Sequence, residues 1–269
     1  MPRDRSATKT IFDLGLHEGW DTEFYLRKGF RVIALEASPQ FADVVKARFA
    51  REIAAGRLTI VRKALAERAD TTIPFFVRTD KDGWSSIHKD VAERDGIVST
   101  RIEIGTVTIA QLFSEFGVPY YLKCDIEGAD NLLLAQIVNE QVKPRFLSIE
   151  GESSGDQSIA LLVAAGYSRF QIVNQGYLRL FVPPHPPREG DYVAQKFHGK
   201  MSGLFGEELP PSHWVDQGVI RERLRLWQNL AAGRVGPVRR FVLKKIGKAT
   251  RRTWLIDTGW IDIHARHDA

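Results

Sequence analysis

The chain has 269 residues, of which 43% are hydrophobic and 26% charged, and its formal net charge is +5. This composition is that of an ordinary globular protein, which excludes disorder, collagen and a coiled coil as descriptions of the whole chain. The single cysteine, Cys124, excludes an internal disulfide framework and a cysteine-based zinc cluster. Because we find neither an apolar run of ~20 residues nor a secretory signal, we expect a cytoplasmic protein that is at most peripheral to a membrane.

Short β-rich runs alternate with helical stretches from Thr10 to about Phe197. This alternation predicts an α/β fold with a doubly wound, mostly parallel sheet of six or seven strands. The strands of this sheet are predicted, in chain order, at 11–15, 31–37, 58–65, 120–128, 145–152, 169–175 and 191–197. Helices are predicted at 21–30, from a Ser38-Pro39 cap to about 55, around 131–138 and around 158–167.

Two regions depart from this rhythm. Residues 71–110 combine two β-rich runs with a polar loop, which predicts antiparallel strands and a possible cap over a substrate. Residues 199–214 are rich in glycine and proline and are followed by helical patterns. We therefore predict one catalytic or binding domain over 1–198 and a C-terminal extension over 199–269.

The positive charge is concentrated in the extension. Residues 231–252 contain no acid and eight basic residues: Arg234, Arg239, Arg240, Lys244, Lys245, Lys248, Arg251 and Arg252. The rest of the chain therefore has a net charge of −3. Apolar residues recur among them at helical spacing: Val238, Phe241, Val242 and Ile246. This basic amphipathic helix either docks on its own domain by the apolar stripe, or meets an anionic membrane or a phosphorylated partner through 234–252.

A strand-turn-helix motif with two glycines carries the strongest chemical signal. Asp13, Gly15 and Gly19 lie in the turn after the first strand, and Glu36 ends the second strand. In doubly wound sheets, ligands bind beyond the carboxyl ends of the strands, and an acid after the second strand can accept both hydroxyls of a ribose. The motif therefore predicts a nucleoside-cofactor site, although two glycines alone also fit a plain strand-to-helix turn.

The same turn distinguishes between two cofactors. It lacks the G-x-G-x-x-G run that places a pyrophosphate at a helix N-terminus in enzymes that use NAD. Asp13 would repel a pyrophosphate but suits a cationic sulfonium amino acid. The sequence therefore favours S-adenosylmethionine over a dinucleotide.

A second group of carboxylates follows the later strands. Asp125 and Glu127 lie at the end of one predicted strand, and Glu150 and Glu152 at the end of the next. They are candidates for cofactor contacts, for a general base or for ligands of a hard cation such as magnesium. Each pair also fits a strand-ending turn, and no histidine lies close enough in sequence to complete a familiar metal motif, so we predict no metal site.

Two histidines are further candidates for acid-base chemistry. His17 lies inside the glycine turn, and His88 lies in the loop of the inserted region. An imidazole titrates near neutral pH and can act as a general base. A solvated loop side chain is the alternative for both.

These residues resemble the FkbM family of S-adenosylmethionine-dependent methyltransferases. The segments that carry the resemblance are IFDLGLHEGWDT (11–22), VIALEASP (32–39), GWSSIHK (83–89), TVTIAQL (106–112), YLKCDIEGAD (121–130), SIEGE (148–152) and SGLFGEELP (202–210). Leu16-His17 stands where the family pattern more usually has Ala-Asn. The resemblance implies a seven-stranded sheet with an antiparallel last strand, and methylation of hydroxyl groups, often on sugars or natural products.

Together with the resemblance, the residues predict an O-methyltransferase whose acceptor is a sugar, a glycan or a natural product. The predicted cofactor-binding residues are Asp13, Gly15, Leu16, His17, Gly19, Thr22, Glu36, Ala37, Ser38 and Asp125. The candidate catalytic bases are His17, Asp125 and Glu127.

Other functions remain open at this point. One alternative is a non-catalytic module that docks on a glycan or a membrane. The other is an NAD-dependent oxidoreductase, which the missing third glycine disfavours. Nucleic acid is not expected as a partner, because the basic residues form one helix and no aromatic-lined groove is visible.

Overall fold

The computed structural model describes residues 9–78, 84–94, 96–151 and 155–268. The chain divides into two compact units, one ending at Pro144 and the other beginning at Arg145. The predicted α/β class with a mostly parallel, seven-stranded sheet is confirmed.

The first unit is built on parallel strands. Its strands are β1 (Thr10–Leu14), β2 (Arg31–Leu35), β3 (Leu58–Val61), β4 (Ala64–Leu65), β5 (Thr72–Val77), β6 (Thr100–Val107) and β7 (Tyr121–Cys124). Four of them follow the order β3-β2-β1-β7, and each neighbouring pair is parallel. Strands β1, β2 and β7 are almost entirely buried, as expected for strands covered on both faces.

The region between β3 and β7 contains the predicted insertion. Its strands form a small sheet in the order β4-β6-β5, in which β5 and β6 are antiparallel. The antiparallel strands expected within 71–110 are therefore confirmed, while part of the polar loop between them, 79–83, lies outside the described residues.

Short helices connect the strands of the first unit. They are α1 (Trp20–Arg27), α2 (Pro39–Arg48), α3 (Ala50–Ala54), α4 (Lys89–Ala92), α5 (Ile109–Phe116) and α6 (Asp130–Asn139). The single helix predicted from Ser38 to about residue 55 is two helices, because Phe49 between them has the non-helical angles φ −110° and ψ 29°.

The second unit has antiparallel pairing. Its strands are β8 (Phe146–Glu150), β9 (Arg169–Asn174) and β10 (Ile261–Arg266), and its helices are α7 (Gly155–Ala164), α8 (Gln217–Ala231) and α9 (Pro237–Thr250). Strand β10 pairs with β8 on one side and with β9 on the other, antiparallel to both. Short 3-10 turns lie at Gln175–Leu180, Gly206–Glu208, Pro211–His213 and Thr253–Leu255.

The strand predicted at 191–197 is wrong, and β10 supplies the antiparallel strand instead. Only Val193 and Phe197 of that segment are buried, so it anchors two side chains without entering a strand ladder. Strand β10 contains two buried polar side chains, Asp262 and His264. Because a buried strand is predicted from a run of apolar residues, these two residues make β10 hard to predict from the sequence. The domain boundary predicted at residue 198 stays a prediction, and β10 lies beyond it.

The basic helix is present as α9, but its apolar stripe does not dock it. Val238, Phe241, Val242 and Ile246 are exposed by 77%, 62%, 48% and 43%. Of the two alternatives that the sequence leaves open, docking of the helix on its own domain by this stripe is therefore wrong. Over the described ranges, no helix combines the length and the apolar character needed to cross a membrane.

Candidate functional site

The turn after β1 lies directly against the end of β7. Gly15 has φ +87°, and a Cβ atom at this position would lie 1.8 Å from the carbonyl oxygen of Asp125. Its amide donates to the Leu35 carbonyl oxygen at the end of β2, 3.0 Å away. Only glycine fits here, and its presence brings the carboxyl ends of β1, β2 and β7 together.

The rest of the turn leads into α1. His17 has φ +48°, in the left-handed region that asparagine and histidine tolerate better than most residues. Gly19 caps α1 with φ +78°, and a Cβ there would lie 3.0 Å from the Phe49 ring. Leu16, between Gly15 and His17, is buried.

Glu36 is fixed in position at the end of β2. One carboxylate oxygen accepts the backbone N–H of His17 at 2.8 Å, and the other accepts that of Ser38 at 2.7 Å. Burial raises the pKa of Glu36 to about 7, although both backbone hydrogen bonds lower it. Since each carboxylate oxygen has two lone pairs, both can still accept a hydroxyl donor.

Ser38 presents a buried hydroxyl beside this carboxylate. The residue is 1% exposed, and within the described ranges its Oγ atom has no hydrogen-bond partner. Its backbone begins α2, yet the side chain makes no capping hydrogen bond. Because a buried hydroxyl without a partner is unfavourable, this position fits the polar atoms of a bound nucleoside. Ala37, between Glu36 and Ser38, is half-buried.

A buried lysine joins three aspartates under the glycine turn. The ammonium of Lys123 in β7 lies 3.4 Å from a carboxylate oxygen of each of Asp13, Asp21 and Asp125. Thr22 in α1 donates from its hydroxyl to Asp13, 2.6 Å away. We call these five residues the lysine cluster.

The lysine cluster carries an excess of negative charge. Burial raises the pKa of Asp13 to about 6, and the charge of Lys123 opposes this shift. Burial acts to lower the pKa of Lys123, but the charges of Asp13, Asp125 and Asp21 outweigh it and raise that pKa well above its usual value. The cluster brings three carboxyl groups to one lysine, and this composition suits a cationic ligand better than an anionic one.

Sequence reasoning missed the central role of Lys123 and the contribution of Asp21. The signal for Lys123 was a lysine inside the otherwise apolar strand YYLKC, because a buried lysine in such a strand needs a carboxylate partner. Asp21 gave no such signal, since an acid in the first turn of a helix is ordinary.

The three candidate bases occupy different surroundings. The side chain of Asp125 is 47% exposed and extends from the lysine cluster to solvent. That of Glu127 is 15% exposed and lies 3.3 Å from the guanidinium of Arg94. The His17 ring packs on Phe41, with ring centroids 4.3 Å apart.

The inserted region contacts the end of β7. Ser86 donates from its hydroxyl to the Glu127 carbonyl oxygen at 2.7 Å, and Arg94 stacks 3.6 Å from the centre of the Trp84 ring. His88 lies beside Gly128. Ser86, in the loop predicted to cap a substrate, and Arg94, which follows it, therefore lie next to Glu127.

Two predicted candidates lie elsewhere. Glu150 ends β8 in the second unit, opposite Asp262 of β10, and Glu152 lies outside the described residues. In the ranges given for the structure, no group of three or more His, Cys, Asp or Glu side chains is placed to hold a metal ion.

The first unit thus combines a glycine turn after β1, an acid after β2 and carboxylates after β7, at the carboxyl ends of parallel strands. Residues 13–169, more than half of the chain, match the family model described as the methyltransferase FkbM domain. The chain belongs to this family, as its resemblance predicts, and its cofactor is S-adenosylmethionine.

Solved structures give more distant likenesses. Precorrin-6y C5,15-methyltransferase from Geobacter metallireducens is 13% identical, with 62% of this chain and 67% of that chain covered and a TM-score of 0.37. A domain described as StiE O-MT is 12% identical, with 99% and 70% covered and a TM-score of 0.39. A Geobacter sulfurreducens methyltransferase in complex with S-adenosyl-L-homocysteine is 12% identical, with 96% and 83% covered and a TM-score of 0.31.

No curated protein matches the chain. The family assignment therefore depends on the match over 13–169 alone.

Proposed function

We propose that this methyltransferase transfers the methyl group to a hydroxyl oxygen of a sugar, a glycan or a natural product. The observation that carries the proposal is the Asp125 carboxylate, which is held by Lys123 on one side and reaches solvent on the other. Its backbone lies against Gly15 in the cofactor turn. A carboxylate in this position is suited to accept the proton of an acceptor hydroxyl.

The cofactor would be held by the turn and by the residues after β2. Glu36 would accept the ribose hydroxyls, while the Ser38 hydroxyl and the backbone around Gly15 would meet the nucleoside. The full proposed set is Asp13, Gly15, Leu16, His17, Gly19, Thr22, Glu36, Ala37, Ser38 and Asp125. Within it, Asp13 and Thr22 are fully buried, so we propose that they act by holding Lys123 and the turn in place.

The charge of the lysine cluster supports this cofactor over NAD. A pyrophosphate would lie close to the exposed Asp125 carboxylate and above the buried Asp13 and Asp21, which would repel it, whereas a sulfonium and an amino group would be attracted. When bound, S-adenosylmethionine supplies a methyl group on a positively charged sulfur. The protein then has to align the acceptor oxygen with that methyl group and to remove the hydroxyl proton.

Of the three candidate bases, Asp125 is favoured by its exposure. Glu127 and Asp125 are both ion-paired, with Arg94 and Lys123, but the Glu127 side chain is only 15% exposed, against 47% for Asp125. The His17 ring packs on Phe41. The base accepts the proton as the new carbon–oxygen bond forms and the carbon–sulfur bond breaks. Lys123 keeps the Asp125 carboxylate oriented during this step.

Calorimetric titration tests the cofactor assignment. We expect S-adenosylmethionine and S-adenosylhomocysteine to bind and NAD not to bind, with and without magnesium. Glu36→Ala should weaken this binding, and Glu115→Ala, at an exposed position of α5, should leave it unchanged. Binding of NAD alone would overturn the proposal in favour of an oxidoreductase, and acceptor binding without any cofactor would indicate a docking module.

Kinetics with a panel of hydroxylated sugars test the acceptor and the base. We expect release of S-adenosylhomocysteine, and Asp125→Asn should lower kcat by about 10²-fold or more. His17→Gln and Glu127→Gln should have smaller effects, and Asp156→Asn, an exposed ion-pair partner of Arg221, should have none. Methylation of amines or thiols but not hydroxyls would refute the O-methyltransferase assignment.

A further inference from the structure

Helix α9 exposes an apolar stripe to solvent. At 100° per residue, its four exposed apolar side chains fall within one sector of about 140°. These side chains are Val238, Phe241, Val242 and Ile246, each more than 40% exposed. A soluble helix normally buries such a stripe, so this one is oriented for a partner outside the described chain.

The opposite face of α9 is the one that packs on the protein. Gly247 is its only buried residue, and a Cβ atom there would come within 3.0 Å of the Arg252 carbonyl oxygen and of the Ile256 side chain. Arg240 and Lys244 on the same side pair with Asp257, at 3.2 and 3.8 Å. These contacts fix the helix with its apolar stripe outward.

Cations border the stripe on both sides. On the same helical projection, Arg239 lies at one edge of the stripe and Lys248 at the other, while Lys245 lies within it, over the Phe241 ring. Arg251 and Arg252 follow directly, and 231–252 contains no acid. A stripe of apolar side chains bordered by lysine and arginine is the pattern of a helix that lies in the headgroup layer of an anionic bilayer.

We infer that α9 docks on an anionic lipid bilayer, with Val238, Phe241, Val242 and Ile246 entering the boundary between headgroups and acyl chains. The surrounding lysines and arginines would meet lipid phosphates. Long basic side chains can place their charge among the headgroups while their stems cover apolar surface.

Two other partners fit this surface less well. In a symmetric dimer built on α9, the same cationic surface would face itself, and the like charges would repel. Nucleic acid would neutralise the cations but would leave the three aliphatic side chains of the stripe against phosphates, and only Phe241 could stack on a base. A lipid surface satisfies both the charge and the apolar area.

Vesicle sedimentation with the full chain tests the inference. We expect sedimentation with phosphatidylcholine vesicles that contain about one third phosphatidylglycerol, and none with phosphatidylcholine alone. Binding should weaken as salt is raised. The double variant V238S/V242S should bind at least about tenfold more weakly, because it removes apolar side chains without changing charge.

A matched control separates the stripe from general effects of the substitution. V142S/V182S also replaces two exposed valines by serine, at positions outside α9, and should bind as the unaltered protein does. Thermal unfolding of both variants should stay near that of the parent chain, since all four side chains are exposed. R239Q/K245Q should weaken binding about tenfold or more, since two cations are removed.

Three results of the vesicle and solution measurements would overturn the inference. They are no sedimentation with anionic vesicles, equal loss in V238S/V242S and V142S/V182S, and a dimer in solution that V238S/V242S converts to monomer without any vesicle binding. Tight binding of single-stranded RNA in the absence of lipid affinity would also overturn it. None of these readouts depends on methyl transfer, so the inference is tested independently of the proposed function.

Discussion

The backbone N–H of His17 donates a hydrogen bond to the Glu36 carboxylate, 2.8 Å away, and so joins the glycine turn to the acid after β2. The acid that would hold the ribose and the turn that would face the cofactor are therefore one connected structure. A change in the charge of Glu36 therefore alters the hydrogen bond that holds the turn at His17.

Cofactor affinity should depend on pH through Glu36. Its pKa is raised to about 7 by burial, so the carboxylate gains a proton as pH falls through 7 and becomes a poorer acceptor for hydroxyls. We expect the Kd for S-adenosylhomocysteine to rise, approaching about tenfold per pH unit below 7, measured by calorimetry between pH 8 and 6. Glu36→Gln should bind weakly at every pH, and an equal slope in both proteins would contradict this role.

Gly15→Ala should disrupt the turn far more than a comparable change elsewhere. The added Cβ would lie 1.8 Å from the Asp125 carbonyl oxygen, and φ is +87°. Gly56→Ala is the matched control, because Gly56 also has a positive φ of +68° but nothing lies within 4 Å of its Cβ position. Chemical denaturation should show a loss of about 1 kcal/mol for Gly56→Ala and clearly more for Gly15→Ala. Similar losses would mean that the close approach is relieved cheaply.

Thr22→Val should destabilise the lysine cluster. The hydroxyl of Thr22 donates to the buried Asp13 carboxylate at 2.6 Å, and valine keeps the shape while removing that donor. We expect the free energy of unfolding to fall by about 1–3 kcal/mol. Thr72→Val, at an exposed position in β5, should leave stability nearly unchanged. If the two variants unfold alike, Asp13 does not need this hydrogen bond.

Lys123→Met should remove the cation that the buried carboxylates share. The fully buried Asp13 would then lose the ammonium 3.4 Å from its carboxylate, and we expect a loss of about 3–5 kcal/mol near neutral pH. Lys89→Met breaks an exposed pair with Glu93 and should cost less than about 1 kcal/mol.

A double variant checks the origin of this loss. Asp13→Asn combined with Lys123→Met removes one uncompensated carboxylate and should restore part of the stability, as measured by urea unfolding. Without any recovery, the loss in Lys123→Met would reflect packing rather than charge.

The sequence predicts the elements that local patterns determine. The β-rich runs at 11–15 and 31–37 match β1 and β2 within two residues, because buried parallel strands are short apolar runs between turns. The topology of doubly wound sheets places the glycine turn and Glu36 at the same edge of the sheet, and in the structure the His17 N–H joins them. Their roles toward the cofactor stay predictions.

The features that the sequence does not predict depend on contacts between distant parts of the chain. Lys123 pairs with Asp13 over 110 positions, and no local pattern in either strand specifies that partner. Strand β10 escaped prediction because its buried polar residues, Asp262 and His264, resemble an exposed segment. The exposure of Val238 and Phe241 depends on which face of α9 packs, which a helical pattern alone does not determine.

The position of β10 also governs when the second unit can form. Strands β8 and β9 both pair with β10, whose residues 261–266 are synthesised about 90 residues after β9 begins. Until then, each of the two strands lacks the hydrogen-bond partner that β10 supplies, and unpaired strand edges attract other chains. Folding of this unit therefore has to wait for β10 to leave the ribosome, and we expect a chain without residues 261–266 to aggregate more readily than one that contains them.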